Sequence, residues 1–168
     1  MIINKIAIVV PFYNEEENLV FFIKEWEKFI SKNKSYKELL FFYFVNDGST
    51  DQSVKKIKQY IEKLKFKIIN KKNSGHGESC KFAYNKIANN ETKFEYLLQI
   101  DSDNQCDPIY LIKFIKLLNS KNYDFIFGYR KYRQDGYVRV LISRILSLTF
   151  YIKKFKYIKD LNTPYRLM

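Results

Sequence analysis

An alternation of short apolar runs with longer segments of helical period constrains this chain more than any other feature. Residues 6–10 form a continuous apolar, largely β-branched run, the pattern of a strand buried on both faces. Pro11 closes it, and residues 15–31 carry Leu19, Phe22, Ile23, Trp26 and Ile30 at the spacing of an amphipathic helix. The unit then recurs. Residues 39–45 predict a second strand, followed by a helix reaching residue 64 with Ser49, Thr50 or Asp51 as its N-cap. Residues 66–69 predict a third strand, and Gly75-His76-Gly77 leads into a helix reaching residue 88. Residues 96–100 predict a fourth strand, Pro108 suits the first turn of a helix running to residue 118, and residues 124–128 predict a fifth strand.

This order predicts an α/β fold with a mostly parallel central sheet and helices on both faces, a three-layer sandwich. Ligands in such folds bind beyond the carboxyl ends of the strands, and the polar motifs after strands one, two and four all fall at that edge. A length of 168 residues, with no linker or repeat, predicts one domain over residues 1–168. Lys and Arg number 30 against 18 Asp and Glu, a net charge of +12. That surplus favours polyanionic surroundings such as nucleic acid, anionic lipid head groups or phosphorylated substrates. A Lys-, Ile- and Asn-rich composition gives the same excess with no partner at all. Cys80 and Cys106 show no metal-ligand spacing, which fits a reducing compartment. The apolar stretch at the N-terminus is short for a signal peptide, and no run reaches the roughly 18–20 apolar residues of a membrane span.

The chemistry concentrates in a few motifs. Asp101 and Asp103, two residues apart just past a buried strand, can both offer oxygen to one hard cation, and Gln105 could add a carbonyl oxygen. A Mg²⁺ or Mn²⁺ ion there would neutralise charge on a departing diphosphate. The plainer reading is an Asx-rich turn ahead of the next helix. Asn14 and Glu15 have a similar alternative as helix caps, and Asp47-Gly48 as a turn. Gly75 and Gly77 suit a backbone that approaches a phosphate closely or simply turns. His76, the only histidine, excludes a His-rich zinc site and reads as a loop residue.

Taken in order, VVPFYNEEEN, VNDGSTD, NSGHG and QIDSDNQ resemble the family-2 glycosyltransferases of GT-A fold, from residue 6 to the last residue. The match looks closest to the dolichol-phosphate mannosyltransferase-like branch, which includes the undecaprenyl-phosphate sugar transferases. The resemblance implies an inverting transfer from a UDP- or GDP-linked sugar. It implies a D-x-D-x-Q metal motif at Asp101, Asp103 and Gln105, with Asp103 also counted as catalytic. It implies a nucleotide-sugar pocket lined by Pro11, Tyr13, Asn14, Glu15, Asp47, Gly75 and Asp101. Ser79 stands where that family often has Ala.

The last third bears on the acceptor. Arg130, Arg139 and Ser143-Arg144 resemble the arginine-rich stretch of the polyprenyl branch, and guanidinium groups match phosphate oxygens bidentately. Arg130 is expected at the diphosphate or the acceptor phosphate, with Arg139 and Arg166 as further phosphate ligands. Asp160 resembles the acidic residue before the S-G-F-R element of that branch, with Pro164 where Gly is usual; it is expected to orient the acceptor or act as a weak base. Residues 137–159 interleave apolar and basic residues, which suits a helix lying on an anionic membrane surface at its inner, cytoplasmic face, or one packed on the core. Past the metal motif the only carboxylates are Asp107, Asp124, Asp135 and Asp160. A lipid phosphate needs no base to ionise it, whereas a sugar hydroxyl does, so the acceptor expected is a polyprenyl phosphate. The alternatives are a saccharide-extending transferase of the same family, and a basic module with no catalysis that binds anionic lipid or nucleic acid. Nucleic acid is not expected, because acidic motifs on the sheet edge would repel it. Such domains normally continue past the point where Met168 falls, so a truncated sequence is also expected.

Overall fold

A computed structural model describes residues 5–89, 93–120, 123–128, 145, 148–149, 152 and 163–168. The elements run β1 (Ile6–Phe12), α1 (Glu16–Lys32), a 3₁₀ turn (Lys34–Tyr36), β2 (Leu40–Asn46), α2 (Ser53–Tyr60), β3 (Phe66–Asn70), α3 (His76–Ala88), β4 (Tyr96–Ile100), α4 (Tyr110–Ser120), β5 (Ile126–Phe127) and β6 (Tyr165–Leu167). They form a six-stranded sheet in the order β3-β2-β1-β4-β6-β5. The pairings β1–β2, β1–β4 and β2–β3 are parallel, while β6 runs antiparallel between β4 and β5.

Strand β1 sits at the centre, buried along its whole length, and its side chains divide between two cores by the period-2 rule. Ile6, Ile8, Val10 and Phe12 point to the core formed with Leu19, Phe22, Ile23 and Trp26 of α1, Ile57 of α2, and Leu111 and Phe114 of α4. Ala7 and Val9 face the other way, with Tyr43 and Val45 of β2 and with Ala83 and Ile87 of α3. Helices therefore cover both faces of a mostly parallel sheet, as the strand–helix order predicts.

Three local expectations are corrected. Helix α2 ends at Tyr60, short of residue 64, because Glu27 of α1 accepts the backbone N–H groups of Glu62 and Lys63 at 2.7 and 2.8 Å. Its N-cap position is Gln52, with no side-chain cap, although Asp51 accepts the Ser53 N–H at 3.0 Å. Strand β6, which has no counterpart in the sequence reading, is three residues long, too short for a hydrophobic period to register. Of residues 137–159, the described ones are Ile145, Leu148, Thr149 and Ile152; all four are helical and exposed. Among the described residues no helix is long and apolar enough to cross a membrane.

Trp26 is fully buried, with its ring edge-on to Phe42 at 5.2 Å and to Phe29 at 5.8 Å. Its indole N–H has no hydrogen-bond partner. Trp26→Ala is expected to lower stability by about 3–5 kcal/mol. Trp26→Phe, which removes the unsatisfied donor while keeping an aromatic ring, should lose less than half of that in a urea denaturation series.

Candidate active site

The carboxyl ends of β1, β2 and β4, together with the start of α3, surround an open cavity of about 230 Å³. Six residues singled out by motif meet there: Pro11, Tyr13 and Glu15 after β1, Asp47 after β2, and Asp101 and Asp103 after β4. Phe12, His76, Ser79 and Ser102 complete the wall. Ser79 escapes motif reasoning and His76 reads there only as a loop residue. The G-H-G turn opening a helix is the signal for both, since a helix beginning at the strand edge aims its first turn at the neighbouring loops.

The loops after β1 and β2 are laced together by Asn14. Its backbone N–H donates to Ser49 Oγ at 3.0 Å, and its Oδ1 accepts from the Thr50 and Asp51 N–H groups at 2.8 and 3.4 Å. Asn14 holds φ at 53°, a left-handed conformation that Asn adopts more readily than most residues. Around it, the Glu15 N–H donates to Ser53 Oγ at 3.0 Å, the Glu16 N–H to Asp51 Oδ2 at 3.2 Å, and the Gln52 N–H to Glu16 Oε2 at 2.8 Å. Asn14 does not itself line the cavity; it sets the position of two loops that do.

Asp47 organises the third loop. Its carboxylate is 4% exposed, and Oδ1 accepts from Lys71 Nζ and, at 3.0 Å, from the Ser74 N–H. Its Oδ2 accepts the Gly75 N–H at 2.8 Å. Burial alone would raise this carboxyl, but the hydrogen bond from Lys71 and the Ser74, Ser79 and Gly75 donors outweigh it, holding Asp47 below the usual carboxylate range. Lys71 Nζ also donates to Lys72 O at 2.7 Å and to Ser74 Oγ at 2.6 Å. Gly75, at φ 91°, is the residue before α3 and reaches the site through its N–H alone. Gly48 is required by close approach: it has φ 76°, and a Cβ there would lie 2.9 Å from the Asn73 nitrogen.

On the opposite wall, Asp103 Oδ1 accepts the Gln105 N–H at 3.1 Å, closing an Asx turn around Asn104 at φ 59°. The structure leaves the exposed Gln105 outside the cavity wall. His76 Nε2 stands 3.6 Å from Asp101 Oδ1, and 3.5 Å from both Cys80 Sγ and Gln99 Nε2. Gln99 is buried and accepts the Tyr84 hydroxyl. Burial, and then the Asp101 charge, push the Cys80 thiol up to about 11, so it stays protonated and unreactive at neutral pH. Arg166, on β6 opposite Gln99, donates through Nε to Thr163 O at 3.0 Å and favours ionisation of Cys80 and Tyr84. It lies behind the cavity wall. Arg130, Arg139 and Asp160 fall outside the described residues.

Asp101 and Asp103 supply hard oxygen donors on one wall, the chemistry that Mg²⁺ and Mn²⁺ prefer. Among the described residues no three His, Cys, Asp or Glu side chains close on a single point. An ion held here therefore takes the rest of its shell from ligand oxygens and water, which suits a diphosphate.

A mostly parallel three-layer sheet with paired carboxylates after one inner strand and a buried acid after another defines a glycosyltransferase of GT-A fold. Residues 7–166 match Glycosyl transferase family 2, and the chain belongs to that family. An uncharacterized protein of Methanocaldococcus jannaschii is 28% identical over 169 residues, covering 95% of this chain and 69% of the relative. The undecaprenyl-phosphate 4-deoxy-4-formamido-L-arabinose transferase of Photorhabdus laumondii is 26% identical over 148 residues, covering 86% of this chain and 43% of the relative. The chain thus spans less than half the length of that transferase. Among solved structures, glucosyl-3-phosphoglycerate synthase from Mycobacterium tuberculosis in complex with UDP superposes with a TM-score of 0.70 at 16% identity, over 98% of this chain and 56% of the other. The mannosyltransferase PcManGT from Pyrobaculum calidifontis, in complex with GDP-Man and Mn²⁺, gives 0.59 at 17% identity, over 76% and 36%. At these identities the two structures speak to fold alone.

The lacing around Asn14 makes a test. Asn14→Ala removes the acceptor shared by the Thr50 and Asp51 amides and should lower stability by about 1–3 kcal/mol. Asn14→Asp keeps an oxygen in place and should recover at least half of that loss, read by thermal denaturation of the two variants side by side.

Proposed function

We propose that this domain transfers a sugar from a nucleoside diphosphate sugar to a polyprenyl phosphate, with inversion at the anomeric carbon. The observation that carries the reading is the meeting of Tyr13, Asp47, Asp101 and Asp103 around one cavity at the carboxyl edge of the sheet. Tyr13, 47% exposed at the lip, offers a ring face to the nucleoside. Asp47, across the cavity, offers a fixed acceptor to the base. Asp101 and Asp103 would hold a divalent ion, which supplies charge neutralisation at the leaving diphosphate. Arg130, Arg139 and Arg166 are assigned to phosphate oxygens of donor or acceptor, and Asp160 to orienting the acceptor. The likeness to an undecaprenyl-phosphate sugar transferase, together with the lack of any Glu after the metal motif, supports a lipid phosphate over a saccharide hydroxyl.

The same reading places the domain against an anionic membrane surface. Ile145, Leu148 and Ile152 are helical and 52%, 55% and 63% exposed, and their spacing puts them on one helix face. The surrounding sequence contributes Arg139, Arg144, Lys153, Lys154 and Lys156. An apolar stripe set among basic residues is the composition of a helix lying in the headgroup region.

Two measurements check these assignments. Titration calorimetry with UDP and GDP, each with and without Mn²⁺, should give metal-dependent binding to the wild type and at least a tenfold loss in Asp103→Ala. Absence of binding under every condition would sink the nucleotide-sugar reading. Sedimentation with vesicles should show the chain on phosphatidylserine-containing bilayers and largely free on neutral ones, with Leu148→Glu weakening capture severalfold. Equal capture on both vesicle types would remove the charge argument.

A further inference from the structure

The hydrogen bonds around Asp47 bear on which nucleotide enters the cavity, and this step rests on the nucleotide-sugar reading above. An ionised carboxylate has two lone pairs on each oxygen and no donor. On Oδ1 both are taken, by Lys71 Nζ and the Ser74 N–H. On Oδ2 one is taken, by the Gly75 N–H at 2.8 Å. Two of these three donors are backbone groups, so they do not swing away. Lys71 is equally fixed: its side chain is 10% exposed, and its Nζ donates to Asp47 Oδ1, Lys72 O and Ser74 Oγ, using all three ammonium hydrogens. Ser79 adds only a rotatable hydroxyl on the cavity wall. Asp47 therefore presents a single open acceptor position, on Oδ2.

We infer that this cavity selects a 2,4-dioxopyrimidine base, uracil or thymine, over guanine, and that Lys71 is the positioning residue that enforces the choice by closing one oxygen of Asp47. Uracil carries one ring N–H between two carbonyls and needs one acceptor. Guanine presents a ring N–H and an exocyclic amino group side by side and needs two coplanar acceptors, so one of its donors is left unmatched in a desolvated site. A buried donor left unmatched lowers affinity by roughly tenfold or more. Cytosine and adenine have no ring N–H to offer and lose the contact outright. Lys71 itself does not touch the base; it acts through Asp47.

The wild-type chain tests this directly by competition calorimetry in Mn²⁺, with UDP, dTDP, GDP and the diphosphate of 3-methyluridine, which has no ring N–H. UDP and dTDP should bind about tenfold or more tighter than GDP, and 3-methylation should weaken UDP by a similar factor. Lys71→Met, checked for folding by its thermal transition, opens Oδ1 and should narrow the UDP-to-GDP ratio at least fivefold. Lys71→Arg, which can still donate to Oδ1, should keep the ratio within about twofold of wild type. GDP binding as tightly as UDP, full affinity for the 3-methylated nucleotide, or an unchanged ratio in a folded Lys71→Met would each overturn the inference while the nucleotide-sugar reading stands. Failure of every nucleotide to bind overturns both.

Discussion

The parallel pairing of β1 with β2 on one side and β4 on the other is the constraint from which the site follows. Ile6 to Phe12 lies in register with Leu40 to Asn46, and Ile6 to Val9 with Tyr96 to Gln99. Parallel strands finish at the same edge, so the turns after Phe12, Asn46 and Ile100 have no choice but to meet. The pairing is possible because β1 is apolar on both faces, giving each of two cores an equal claim on it. A polar residue at Val9 or Val10 would disturb the packing of helices on that face and the height at which the three turns gather.

What the turns do once gathered is a matter of hydrogen-bond supply. A rim made from the ends of strands exposes backbone N–H groups that no ladder satisfies, and this protein meets them with short polar side chains. Asn14, Asp47, Asp51 and Asp103 each accept at least one such N–H. Acidic residues at the rim of a chain with net charge +12 are thus explained twice over, as structural acceptors and as the wall facing a ligand. Lys71 is the cation that makes the most buried of these carboxylates stable in its charged form.

The strand–helix order, the two-sided helix cover and the gathering of Pro11, Tyr13, Glu15, Asp47, Asp101 and Asp103 were legible in the sequence, because each rests on periodicity or on a motif fixed to a strand end. The finer division of labour was not. Asn14 and Glu15 are adjacent in one motif, yet only Glu15 lines the cavity, since the left-handed turn at Asn14 sends its side chain to the Ser49–Asp51 loop. Lys71 looked like one of many surface lysines, and only the folded loop shows its ammonium enclosed. The end of α2 was misread because Glu27, more than thirty residues upstream, captures the amides that would have continued it. Local patterns carry no information about acceptors that arrive from another element.

Strand β6 has a consequence for the order in which the molecule can be completed. Tyr165–Leu167 is inserted between β4 and β5, and it supplies the pairing that joins β5 to the rest of the sheet. On the ribosome, β1 to β4 can assemble as soon as residue 100 has emerged, forming the carboxylate-lined edge early. Ile126–Phe127 must then wait through nearly forty further residues before its partner exists. The half of the rim that binds the donor is thus laid down first, and the sheet closes only when the chain returns to thread a strand of opposite direction into a slot left open for it.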